Sequence, residues 1–101
     1  MDTTDLTALR SRIDAIDARL IELLAERFRA TDAVGRLKAG AGLAAVDAAR
    51  EAQQARRYRA LAAQHALSST LVDQVFRLVI DEVVRNHRAL ADAARPDSAP
   101  T

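Results

Sequence analysis

A chain of 101 residues with a formal net charge of +1 offers no broad field for nucleic-acid backbones or anionic membranes, so any anion site must be local. The absence of cysteine removes disulfides, thiolate metal sites and cysteine nucleophiles together, and the two histidines have no spacing that would suit zinc. With Phe28, Tyr58 and Phe76 as the only aromatic residues, stacking on single-stranded nucleic acid is disfavoured as well.

The length sets one domain, residues 1–94, followed by a polar tail with two prolines, residues 95–101, expected to be disordered. The opening MDTTDLTALR is polar and holds no apolar run of signal or transmembrane length, which points to a cytoplasmic protein without membrane contact. The first helix is expected to start at Thr4 or Asp5, either of which can cap free N–H groups, and to end near Lys38 or Ala39. Its apolar seam runs Leu9, Ile13, Ile16, Leu20 and Leu23, is interrupted by Arg27, and resumes with Ala30, Val34 and Leu37. Gly35 falls inside this pattern, where a glycine costs about 1 kcal/mol against alanine, so backbone or ligand is expected to approach closely at that turn. Such a helix is roughly 50 Å long at 1.5 Å per residue. A compact domain of this size has a radius of gyration of only about 13 Å, so the far end of the helix is expected to pack on a second copy.

Arg27 and Lys38 share a helix face roughly 16 Å apart, since eleven residues make close to three turns. Lys38 is the only lysine among fifteen basic residues, which suggests that a compact point charge is wanted at the helix end. A plainer reading also stands: Arg27 snorkels to solvent, and Lys38 complements the C-terminal dipole just before Gly40. Arg10 lies on the face that holds Asp17, roughly 25 Å along the helix from Arg27, too far for one small ligand to touch both in one chain. An antiparallel partner helix would bring Arg10 of one copy towards the Arg27–Lys38 face of the other, so a homodimer with shared sites is expected.

The segment 39–46, AGAGLAAV, reads as a short flexible cover. A second helix is expected from Asp47, a good N-cap, to about His65, and its first turn places Asp47, Arg50 and Glu51 on one face. A cap with an intrahelical ion pair would account for these three; a ligand site is the alternative. Ser68 caps a third helix, about Ser69 to Ala93, whose inward stripe is Val72, Val75, Phe76, Val79, Val83, His87 and Leu90. No strand pattern competes, so the fold class is all-α with three helices, one of them very long. Arg56, Arg57 and Arg59 form a basic cluster that reads as a solvated face. Three cations and a carboxylate around a small apolar interior suit a compact dianionic ligand with a hydroxyl, and no Ser/His/Asp set points to nucleophilic catalysis.

The runs LRSRIDAIDARLIELLAER, VGRLK and VDAARE, in that order and spacing, resemble the all-helical class of chorismate mutases over roughly residues 6–90. The resemblance implies an intertwined homodimer that needs no cofactor and converts chorismate to prephenate. It implies that Arg10 of the partner, Arg27 and Lys38 bind the substrate carboxylates and the ether oxygen, and that Asp47, Arg50 and Glu51 match the family residues of the second helix, with Glu51 on the ring hydroxyl. Two positions depart from the family pattern: Val83 stands where a serine commonly faces the ring carboxylate, and His87 stands where Gln or Glu donates to the ether oxygen. His87 on an apolar stripe also reads as a core histidine, although a neutral imidazole can still donate one N–H. Related helical enzymes that act on the 4-amino analogue of chorismate, or on isochorismate as pyruvate lyases, are the alternatives within the fold. A non-catalytic helical interaction module is the alternative outside that chemistry.

Overall fold

The computed structural model describes residues 3–94. It holds three helices: α1, Thr3–Gly40; α2, Ala48–Gln64; and α3, Ser69–Ala93. No strand occurs among the described residues, and none of these helices is long and apolar enough to cross a membrane. The tail expected at 95–101 lies outside the described residues. α1 begins and ends about one residue beyond the expected limits, while Asp47 and Ser68 cap α2 and α3 as their side-chain chemistry predicts. Ser68 Oγ accepts the Leu71 N–H at 3.3 Å.

Residues up to Thr31 form one unit and residues from Asp32 onward form a second. In the first unit, the seam Leu9, Ile13, Ile16, Leu20 and Leu23 is between 43 and 55 % exposed. Extended back to Leu6, its steps alternate three and four residues, the heptad period that matches a seam to a facing helix rather than to a globular core.

The second unit holds the last turns of α1 together with α2 and α3. α2 and α3 pack on each other through residues that share one face of each helix, with Tyr58, Ala62 and Val79 buried. The rings of Tyr58 and Phe76 stack with centroids 4.0 Å apart, joining the two helices. Val79 and His87 on the α3 stripe are buried and Val72, Phe76, Val83 and Leu90 are half-buried. Val75, expected on the same stripe, is instead 46 % exposed. It stands about 100° round the helix from Phe76 and belongs to a flanking row with Leu71 and Leu78.

α1 and α2 end in the same way. After α1, the Leu43 N–H donates to the Lys38 carbonyl at 2.8 Å and the Gly42 N–H to the Ala39 carbonyl at 3.2 Å, with Gly42 left-handed at φ 69°. After α2, the Leu67 N–H donates to the Ala62 carbonyl at 2.8 Å and the Ala66 N–H to the Ala63 carbonyl at 3.3 Å. Both are Schellman caps, which satisfy carbonyls that the helix leaves free. At the second, an alanine occupies the left-handed position, with φ 55°. A left-handed conformation costs an L-residue roughly 1–2 kcal/mol, and glycine returns part of that through its greater freedom in the unfolded chain. Ala66→Gly is therefore expected to stabilise the chain by about 1 kcal/mol, read as a rise in Tm without loss of helicity; an unchanged or lowered Tm would contradict the strain assigned to Ala66.

Candidate active site

In the second unit, Lys38 sits half-buried in the last turn of α1, where the helix dipole favours a cation. Its carbonyl, held by the Leu43 N–H, fixes the backbone that carries the ammonium. Asp47 is the N-cap of α2: its Oδ1 accepts the Arg50 N–H at 3.0 Å, and its carbonyl accepts the Glu51 N–H at 3.0 Å. The cap reading of Asp47 is thus correct. The exposed guanidinium of Arg50 donates to Gln53 Oε1 at 2.8 Å, one turn along its own helix. Glu51, half-buried, is turned about 100° from Arg50 and shares its row with Ala55 and Tyr58.

That row lines a groove of about 710 Å³ between α2 and α3, together with Arg59, Asp73, Phe76 and Arg77. Arg59 Nε stands 4.0 Å from Asp73 Oδ2 across it, a loose and solvent-screened pair. Of the candidate site residues, Glu51 lines this groove; Lys38 and His87 are elsewhere in the unit.

His87 is 5 % exposed on the inner face of α3, one turn after half-buried Val83. Its ring lies against Gly35. A Cβ built on Gly35 would stand 2.6 Å from His87 Cδ2, 3.0 Å from Nε2 and 3.0 Å from Leu90 Cδ1. The close approach at Gly35, expected of backbone or ligand, is made instead by a side chain, the His87 imidazole, and the ring edge that carries Nε2 meets α1 one turn before Lys38. Within this unit the fold brings the segment of α1 that ends in Lys38 against His87, with Asp47, Arg50 and Glu51 on the first turn of α2 after the connecting loop.

The first unit carries Arg10, exposed, and Arg27, half-buried. Arg27 Nη1 is buried, so this guanidinium does not simply run out to solvent, and the snorkelling reading does not describe it. The stacked pair Tyr58 and Phe76 was not picked out from the sequence as a feature. Phe76 lay on the expected stripe, but Tyr58, between Arg57 and Arg59, carried no signal beyond its spacing from Glu51 and Ala55.

The described residues form an all-helical protein of three helices, with Lys38, Asp47, Arg50 and Glu51 at helix ends, Val83 and His87 on the α3 stripe, and Arg10 and Arg27 inside α1. Residues 9–88 match the family described as chorismate mutase type II, and this span encloses each of the candidate positions from Arg10 to His87. The chain is 34 % identical over 85 residues to the bifunctional chorismate mutase/prephenate dehydratase of Escherichia coli strain K12, an overlap of 84 % of this chain and 22 % of that protein. It is 36 % identical over 78 residues to the T-protein of Enterobacter agglomerans, covering 77 % of this chain and 21 % of that one. The chain belongs to the chorismate mutase type II family. It spans about a fifth of the length of these relatives.

Proposed function

We propose that this chain is a chorismate mutase acting as a cytoplasmic homodimer on chorismate to give prephenate. The observation that carries the reading is the family match from residue 9 to residue 88; the site residues proposed within that span, on the resemblance read from the sequence, are Arg10, Arg27, Lys38, Asp47, Arg50, Glu51, Val83 and His87. The reaction is a pericyclic isomerisation: the ether C–O bond breaks as a C–C bond forms, with no nucleophile, proton transfer or cofactor required. The protein's part is positioning and electrostatics. Arg27, with Arg10 of the second copy, would hold the two carboxylates so that the enolpyruvyl group folds over the ring. Lys38 and His87 would donate to the ether oxygen, where negative charge grows as the bond breaks. Glu51 would accept from the ring hydroxyl, and Arg50 beside it would add positive charge at the same end. Asp47 holds the helix start that presents both. Val83 contributes an apolar wall.

The homodimer is supported by the heptad spacing of the α1 seam and by its exposure, since a row of leucine and isoleucine left at about half exposure is the surface a second identical helix would cover. The test is incubation of the purified chain with chorismate, following loss of the diene absorbance and identifying the product by NMR. Prephenate at an enzyme-like rate is expected. No turnover in a folded dimer would overturn the assignment, and isochorismate and the 4-amino analogue would then be the substrates to try.

A further inference from the structure

The approach of His87 to Gly35 is closer than any side chain at position 35 allows. Real Cβ atoms do not come within 2.6 Å of an aromatic carbon, and here that carbon belongs to a ring that is itself buried, so it cannot swing aside as an exposed side chain would. Leu90 Cδ1, at 3.0 Å on the same side, closes the slot further. The slot is therefore cut to the imidazole: the glycine of α1 supplies the missing volume, and Leu90, one turn beyond His87 on α3, supplies a wall. The Nε2 edge of the ring faces α1 one turn before Lys38, the second group assigned to the ether oxygen.

We infer that Gly35 is a positioning residue for His87: its missing side chain sets the depth at which the imidazole seats against α1, and so aligns the His87 N–H with the Lys38 ammonium on one substrate oxygen. The inference rests on the mutase reading for its catalytic consequence, but not for the steric pairing itself.

Gly35→Ala separates the two. In a helix interior this change ordinarily stabilises, because alanine has the higher helix propensity. With His87 in place the added methyl must displace the ring, so Tm is expected to fall. In a His87→Ala background the ring is gone, Leu90 Cδ1 at 3.0 Å is the end of a flexible side chain that can give by a few tenths of an ångström, and the same Gly35→Ala change is expected to raise Tm. Displacing a transition-state donor by an ångström can cost about 100-fold, so Gly35→Ala is expected to lower kcat by that order with KM little changed. In a His87→Gln background, where a flexible amide replaces the ring, the further loss is expected to stay below about threefold, because the two positions are coupled.

A rise in Tm on Gly35→Ala with His87 present, or an equal fall in kcat in both backgrounds, would overturn the pairing. If the native chain fails to turn over chorismate at all, the proposed function falls, and the sign change in Tm still decides the pairing on its own.

Discussion

Replacing Lys38 by alanine is expected to lower kcat by 10²–10³-fold while leaving the chain helical and dimeric. Removing one preorganised donor from a site that stabilises developing negative charge costs about 3–4 kcal/mol of transition-state stabilisation. Lys38 is the group on which that cost should fall most heavily. It carries a full charge, it is the only lysine of the chain, and its position in the last turn of α1 places the ammonium where the helix dipole already favours it. The fold does not depend on it in the same measure. The hydrogen bond that ties off α1 uses the Lys38 carbonyl, which alanine keeps, and the side chain is only half-buried. Lys38→Arg should recover little of the loss, because a planar fork is not a compact ammonium. Steady-state kinetics beside circular dichroism and sedimentation make the check. A Lys38→Ala variant with a near-normal rate would remove the assigned role.

The second large effect concerns Arg10, which the proposed dimer borrows from the other copy. Arg10→Ala and Lys38→Ala should each be nearly inactive alone. When the two variants are unfolded together and refolded as a mixture, half of the dimers are mixed. Each mixed dimer regains one intact site, formed by Lys38 of the Arg10→Ala copy and Arg10 of the Lys38→Ala copy. Activity should therefore return to roughly a quarter of the native value, the statistical result for a site shared across a two-fold interface. If Arg10 served its own chain, each copy in the mixed dimer would carry one lesion in its own site and nothing would return. A recovery near zero would thus refute the shared site without touching the mutase activity.

Much of the fold can be read from local chemistry. Asp47 and Ser68 carry side chains that satisfy helix N–H groups, and no tertiary contact is needed to place them. The apolar seam from Leu9 to Leu23 is legible for the same reason, being a periodicity and not a contact. Gly35 was legible in part: a glycine inside a helix signals close approach, but the partner is the His87 ring on another helix, and the identity of a long-range contact is not encoded in the local pattern. Ala66 is the opposite case. Local preference asks for glycine at that left-handed position, and the two Schellman hydrogen bonds that hold an alanine there could not be anticipated from its side chain. For Val75, helical spacing alone could not separate a buried row from the exposed row beside it.

The candidate site was legible mainly through the order and spacing of Arg27, Lys38, Asp47, Arg50 and Glu51. What spacing could not supply was the direction of each group. Arg50 turns along its own helix to Gln53, and Glu51 lines the groove between α2 and α3. Only a folded backbone distinguishes these two neighbours.

The cap that closes α1 separates the charge at Lys38 from whatever the chain does next. Lys38 has its carbonyl bonded to the Leu43 N–H, and the reversal of direction is completed at Gly42, before the loop proper begins. Bending or lengthening of residues 44–46 is therefore absorbed beyond a fixed knot, and it does not reach the ammonium through the backbone. The loop can change in sequence or length while the Lys38 cation keeps its place. A chain built this way can vary its loop without giving up the place of the charge that the proposed function sets on the ether oxygen.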